Sequence, residues 1–124
     1  MKLHLDSTKP HIVEVQVACG TLFICIDYDT NGRLRIFLDV GDTGGGCSAN
    51  LKGIAKLLTL YLNDGRLSKE RLIEELQEVD CLNCHRWKGK LLGEGKKLDN
   101  WSRSCCNAIS KILKEIEWTD STKK

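Results

Sequence analysis

The sequence has few of the features that define membrane-spanning, disordered and strongly charged proteins. It contains one proline, 6% aromatic residues and a formal net charge of +2 over 124 residues. Its longest apolar stretch, near Ile54 to Leu62, is interrupted by Lys56 and is shorter than the ~20 apolar residues of a membrane helix. The small charge argues against a nucleic-acid binder, and 41% hydrophobic residues indicate a folded chain. We expect one domain over residues 1–124, with a frayed tail over 119–124.

Cysteine, in contrast, is abundant, with seven in the chain. The first residues form no apolar signal segment, so we expect a cytoplasmic protein, in which clustered thiols indicate metal or redox chemistry before disulfides. Cys81 and Cys84 have the separation at which one short turn supplies two ligands to tetrahedral zinc. The alternative is that some thiols, such as Cys25 and Cys106, are small core hydrophobes.

Alternating apolar residues predict three strands, over 12–17, 22–28 and 34–40, and Asn31-Gly32 predicts a tight turn between the last two. Helical spacing predicts three helices: from Ser48 or Asn50 to Asn63, from Ser68 to about Val79, and from near Ser104 onward. The stretch 85–103 shows no clear period and is predicted as a loop. The expected fold is α+β, a three-stranded antiparallel meander followed by about three helices packed on one face.

A glycine-rich turn precedes the first predicted helix, formed by Gly44, Gly45 and Gly46. Helix N-termini carry unpaired N–H donors that favour anions, and glycines let a phosphate approach the backbone. The same glycines also serve simply to form a tight strand-to-helix turn. Both interpretations stand at this stage.

The predicted loop mixes cations with two tryptophans. Its candidate ligand-binding residues are Arg86, Trp87, Lys88, Trp101 and Arg103. Aromatic faces stack on bases and cations neutralise phosphate, so this composition suits a nucleotide. The alternative is a solvated loop that one tryptophan anchors to the core.

The order of these motifs resembles the TSCPD domain family. Four segments carry the resemblance: Cys19-Gly20-Thr21-Leu22-Phe23, Gly44-Gly45-Gly46-Cys47, Asp80-Cys81 and Ser104-Cys105-Cys106-Asn107-Ala108-Ile109. It spans roughly Val13 to Leu113. The family occurs at the C-terminal end of vitamin B12-dependent ribonucleotide reductases and as short free-standing proteins.

The resemblance implies four recurrent cysteines that are suspected of holding a metal. They match Cys19, Cys47, Cys81 and Cys105, and Cys84 is additional. We therefore expect zinc, with ligands from these five cysteines. The Thr, Pro and Asp positions of the family's naming motif hold Arg103, Cys106 and Asn107 here.

Taken together, these patterns predict a non-enzymatic protein that binds a phosphorylated nucleotide. The three histidines are scattered, and no spacing pairs a nucleophile with a base. Such a protein would regulate a partner or sequester the nucleotide, for example as a viral sponge for host nucleotide immune signals. The alternative function is a cysteine–zinc structural or accessory module of a ribonucleotide reductase-like enzyme. A short sheet with exposed edges and a small core also predict a homo-oligomer, most simply a dimer.

Overall fold

The computed structural model describes residues 3–4, 9–18, 20–40, 45–96 and 101–117, with backbone alone at 3–4, 45–48 and 117. Its elements, in chain order, are β1 (Leu3–His4), β2 (His11–Val17), β3 (Gly20–Tyr28), β4 (Leu34–Val40), α1 (Gly45–Asn63), α2 (Lys69–Gln77), α3 (Leu82–Gly93), α4 (Cys105–Glu115) and β5 (Ile116–Glu117). The predicted α+β class is confirmed.

Strands β2, β3 and β4 form an antiparallel sheet in that order. The predicted turn between β3 and β4 is confirmed, because the Asp29 N–H donates to the Arg33 carbonyl at 2.9 Å. Gly32 has a φ of +78°, a left-handed conformation that glycine adopts without a steric penalty. The Asp29 carboxylate accepts from the N–H groups of Asn31 and Arg33, at 2.9 Å each, and so fixes the turn.

One face of this sheet forms the hydrophobic core with α1 and α4. Every second residue of β4 is buried, as the alternating pattern requires, and Leu22, Ile24 and Ile26 of β3 are at most 1% exposed. The helical residues in the same core are Leu51, Ala55, Leu58 and Leu62 of α1 and Ala108, Ile109 and Leu113 of α4. Helix α2 packs on α4 and adds partly buried side chains to this core.

The described residues form four helices where the sequence predicted about three. Helix α3 occupies part of the stretch predicted as a loop, and its only buried residue is Cys84. Helix α1 begins at Gly45, earlier than the predicted Ser48 or Asn50, and α2 ends at Gln77, before Val79. A two-residue parallel pairing of β1 with β5 was also not predicted. Helix α3 was not predicted because the hydrophobic pattern of a sequence indicates a helix only when that helix buries a wide apolar stripe, and α3 has no such stripe.

The β4 edge of the sheet is closed by side chains of α1. Asn63 accepts from the Leu34 N–H at 2.9 Å and donates to the Leu34 carbonyl at 2.7 Å. Thr59 accepts from the Ile36 N–H at 3.0 Å. A helix that satisfies edge groups in this way blocks the pairing of another strand at these positions.

Candidate functional site

The N-terminal ends of α3 and α4 meet, and this junction carries most of the predicted ligand-binding residues that the structure describes. The Cys81 N–H donates to the Arg103 carbonyl at 2.8 Å. The Trp101 indole N–H donates to the Cys84 carbonyl, also at 2.8 Å. These two bonds hold residues 101–103 beside the first turn of α3.

The start of α4 is fixed by a polar network centred on Asn107. Ser104 is the N-cap residue, and its hydroxyl accepts from the Asn107 N–H at 2.9 Å. The Asn107 carboxamide accepts from the Arg103 N–H at 3.3 Å and donates to the Gln77 carbonyl at 3.1 Å. Asn107 thus ties the segment before α4 to the end of α2.

Asp80 lies between two basic side chains at this junction. Its carboxylate is 2.9 Å from His85 Nε2 and 3.4 Å from Arg103 Nε. The hydrogen bond to His85, followed by the positive charge of Arg103, lowers the pKa of Asp80 below its ordinary value of 3.8. The side chains of His85 and Arg103 are each 42% exposed, so both remain open to a solvent-borne ligand.

Trp101 is half-buried and surrounded by cationic groups. The Lys88 ammonium lies 4.9 Å from the centre of its ring, in a cation–π arrangement. The His85 ring meets it edge-on, with 5.3 Å between ring centres. Lys111 donates to the Trp101 carbonyl at 2.8 Å, and burial lowers the pKa of this lysine. We define Asp80, His85, Lys88, Trp101 and Arg103 as the Trp101 cluster.

A groove of about 480 Å³ between β2 and α4 adjoins the Trp101 cluster. Its lining includes Ser102 and Lys111, which are hydrogen-bonded to each other at 3.3 Å. A second groove of about 480 Å³ lies between β4 and α1, with Lys52 and Lys56 on its helical side.

The structure brings together three of the predicted ligand residues, Lys88, Trp101 and Arg103. Arg86, which is exposed, and Trp87, which is half-buried, lie on the same helix α3. Gly44 lies outside the described residues, and Gly45 and Gly46 are described only as the first residues of α1.

Asp80 and His85 were not predicted as site residues. One signal for His85 was available in the sequence, because residues 85 and 88 are three apart and share a face once the segment is helical. Asp80 was singled out in the sequence only within the Asp80-Cys81 segment of the family resemblance, without a binding role, and its place in the cluster depends on contacts with α3 and with residue 103.

Three of the five predicted metal ligands are described with their side chains. Cys81 is the N-cap residue of α3, Cys84 is 2% exposed, and Cys105 is the first residue of α4. Within the described ranges, no three His, Cys, Asp or Glu side chains form a group that could hold a metal ion. Cys19 and the side chain of Cys47 lie outside these ranges. The described cysteines therefore do not make a zinc site by themselves, and zinc stays a prediction.

The two thiols that the alternative hypothesis assigned to the core lie in partly buried positions. Burial raises the pKa of the Cys106 thiol. Burial, followed by the negative charge of Asp27, also raises the pKa of Cys25. Both thiols are accordingly held in the protonated form, as expected for structural rather than reactive cysteines.

The fold and the junction define a small α+β domain with cysteines at the starts of its last two helices. Among the described residues, no helix is long and apolar enough to span a membrane. The sequence matches the TSCPD domain family over residues 4–117, so the chain belongs to this family. Searches of curated proteins and of solved structures found no match.

Proposed function

We propose that this chain is a non-enzymatic binding protein for a phosphorylated nucleotide and that the Trp101 cluster is its binding site. One observation carries the proposal. Lys88 lies over the Trp101 ring and His85 meets that ring edge-on. Asp80 joins His85 to the second cation of the cluster, Arg103.

The chemistry of the cluster matches the two parts of a nucleotide. A guanidinium and an ammonium form charge-assisted hydrogen bonds to phosphate, and Trp101, over which Lys88 now lies, is the aromatic group on which a base would stack. Two such bonds at ~1.5–3 kcal/mol each and stacking at ~1–3 kcal/mol reach the roughly 8 kcal/mol of micromolar binding only in a preorganised site. The bonds that fix residues 101–103 against α3 supply that preorganisation.

The glycine-rich segment 44–46 remains a predicted second phosphate contact. Its last two residues begin α1, so their N–H groups belong to the unpaired first turn of a 19-residue helix. The protein would regulate a partner or sequester the nucleotide rather than consume it. Within the cluster, the Asp80–His85 pair is the arrangement that resembles a general base, so the absence of turnover has to be measured directly.

Calorimetric titration with nucleoside monophosphates, nucleoside diphosphates and cyclic mono- and dinucleotides tests the proposal. We expect micromolar binding of at least one class. Lys88→Ala and Arg103→Ala each weaken it about tenfold or more, because each removes a charge-assisted bond worth ~1.5–3 kcal/mol. Lys90→Ala is the matched control, because Lys90 is an exposed cation two residues along α3 from Lys88 and therefore on another side of the helix.

Trp101→Ala and Trp101→Phe separate stacking from folding. The Phe variant keeps an aromatic face but loses the indole N–H bond to Cys84, so it retains more affinity than the Ala variant. The bound nucleotide is then released by heat and analysed. Intact nucleotide supports a binding protein, and a hydrolysed product that appears only with active protein contradicts it. Dissociation constants above about 1 mM for every nucleotide, or undiminished binding by Lys88→Ala and Trp101→Ala, refute the site.

A further inference from the structure

The three-stranded sheet has a second face, opposite the one on which α1 and α4 pack. We define the open face as the alternate residues of β2, β3 and β4 that point away from these helices. Its apolar members are Ile12, Phe23, Cys25 and Phe37. The strand register pairs Ile12 with Cys25 and Cys25 with Phe37, so these three side chains form one row across the sheet.

Two of the three side chains in this row, Ile12 and Phe37, are largely exposed to water. The Ile12 residue is 66% exposed and Phe37 is 51% exposed. Phe23 lies on the same face, two residues along β3 from Cys25. A row that combines exposed and partly buried apolar side chains, with charges beside it, is typical of an interaction surface.

Two charged residues of β4 flank Phe37, and Glu14 of β2 and Asp27 of β3 add two carboxylates to the open face. Arg35 and Asp39 each lie two residues from Phe37 on β4, one on either side, and both are exposed. Asp27 holds Arg35 through two hydrogen bonds, at 2.9 and 2.8 Å, and the guanidinium lies 5.6 Å from the centre of the Phe37 ring. Because arginine has five N–H donors, it can bind a second carboxylate without releasing Asp27.

We propose that the open face is a homodimer interface, on which a second copy of this chain packs about a two-fold axis along the Ile12–Cys25–Phe37 row. A 180° rotation about this axis stacks each strand on the same strand of the second copy, and the two stacked strands run in opposite directions. Arg35 of each protomer then faces the partner subunit's Asp39, which gives two equivalent ion pairs. The two sheets stack about 10 Å apart, as in a β-sandwich.

The face fits a second copy better than the β4 edge does. A strand added at that edge would have to displace Thr59 from Ile36 and Asn63 from Leu34. The sequence predicted a dimer from exposed edges, and at the β4 edge these bonds from α1 stand against it, so the proposal uses the open face. This inference is independent of nucleotide binding.

The size of the face sets the expected strength of the dimer. Three strands of about seven residues cover roughly 350 Å² of sheet plane. Standard interfaces bury about 800 Å² per partner, so we expect a weak dimer that forms only at high protein concentration. In sedimentation equilibrium from about 5 to about 500 µM, the average mass therefore rises from 14.0 kDa toward twice that value.

Two charge reversals test the arrangement through mixing. Alone, Arg35→Glu places carboxylates against carboxylates across the interface, and Asp39→Lys places cations against cations. Each variant should weaken its own dimer about tenfold or more. In an equimolar mixture, the heterodimer of the two variants again has two attractive ion pairs. Its dissociation constant should therefore return to within about threefold of that of the parent homodimer.

Ile12→Lys distinguishes the open face from the β4 edge, because Ile12 lies two strands away from that edge. It should weaken the dimer about tenfold, whereas Leu82→Lys, at another residue that is 66% exposed, should not change it. Circular dichroism and melting confirm that each variant is folded. The proposal is overturned by a mass of 14.0 kDa at every concentration or by an Ile12→Lys variant that dimerises like the parent. It is also overturned if the mixed charge-reversal variants dimerise no more tightly than each variant alone.

Discussion

Asn63 shows how much of this fold depends on one side chain. Its carboxamide accepts from the Leu34 N–H and donates to the carbonyls of Leu34 and Thr59, the latter at 2.8 Å. It therefore joins the end of α1 to the start of β4 and completes the hydrogen bonding of both. A half-buried amide and carbonyl left without partners would carry a full desolvation penalty.

We expect Asn63→Ala to lower the free energy of unfolding by about 1–3 kcal/mol, because it leaves both Leu34 groups unsatisfied. Asn63→Asp keeps the acceptor but cannot donate to the carbonyls, so it is also destabilised. Urea denaturation followed by circular dichroism measures both effects. Asn83→Ala, at an exposed asparagine on α3, should stay within about 0.5 kcal/mol of the parent. Equal stability of Asn63→Ala and Asn83→Ala would show that solvent replaces the edge bonds.

At the scale of the element, the N-caps of α2 and α4 offer a matched comparison. Ser68 accepts from the Arg71 N–H at 3.1 Å on the surface, and Ser104 accepts from the Asn107 N–H at 2.9 Å in a buried setting. Helix α4 contributes Ala108, Ile109 and Leu113 to the core, whereas α2 has no fully buried residue. The same chemical change should therefore have different effects in the two helices.

Ser104→Ala should lower the free energy of unfolding by about 1–2 kcal/mol, and Ser68→Ala by about 0.5–1 kcal/mol. The larger effect follows from the buried N–H that Ser104 satisfies. Ser104→Asp keeps an oxygen acceptor at the cap and should recover part of the loss. Thermal and urea unfolding of the three variants measure the difference. An effect of Ser68→Ala as large as that of Ser104→Ala would contradict the role assigned to burial.

The elements that sequence patterns predicted correctly are those with a clear buried face. Strand β4 alternates without exception, and Asp29 to Gly32 match the turn chemistry that joins it to β3. Helix α3 has no such pattern: it buries Cys84 alone and carries Gly89 within it. Its position follows from the Trp101 bond to the Cys84 carbonyl, which no local period encodes.

At the scale of the whole molecule, the candidate site was predictable in composition but not in arrangement. The cations and tryptophans of residues 86–103 suggested a nucleotide site, and Lys88, Trp101 and Arg103 do come together. Their meeting requires the bond between Cys81 and Arg103, which are far apart in sequence. Asp80 and His85 meet locally, five residues apart at the start of α3. Only the contacts of Asp80 with Arg103 and of His85 with Trp101 join distant parts of the sequence, and spacing could not reveal those.

Acid stability is a property of the whole molecule, to which three surface carboxyls contribute. A backbone hydrogen bond from Arg33 lowers the pKa of Asp29 below its ordinary value of 3.8. A hydrogen bond from the Arg66 side chain lowers the pKa of Asp64. A hydrogen bond from the His85 side chain lowers the pKa of Asp80. Because the folded state favours each charged form, the stability they supply is present above their ordinary pKa and is lost as pH falls through the lowered values.

We therefore expect the melting temperature to stay nearly constant from about pH 7 to about pH 5 and to fall below about pH 4. Asp29→Asn retains an oxygen that accepts from the turn N–H groups but cannot titrate, so its acid decline is shallower. Asp29→Ala loses the acceptor as well and should melt lower at every pH. Scanning calorimetry across this range measures both. A parent melting temperature that rises on acidification would contradict the sign.

The pairing of β1 with β5 places Leu3 beside Ile116, residues near opposite ends of the sequence, through only two matched positions. Closing so long a loop costs much chain entropy, and a pairing of two residues contributes little stabilising free energy before the core has formed. This pairing therefore belongs to the late part of folding, although Ile116 is 3% exposed and ends up in the core. Because residues 3 and 116 lie side by side, a linker that joined these two positions would make the turn over 29–33 a natural place for new chain ends.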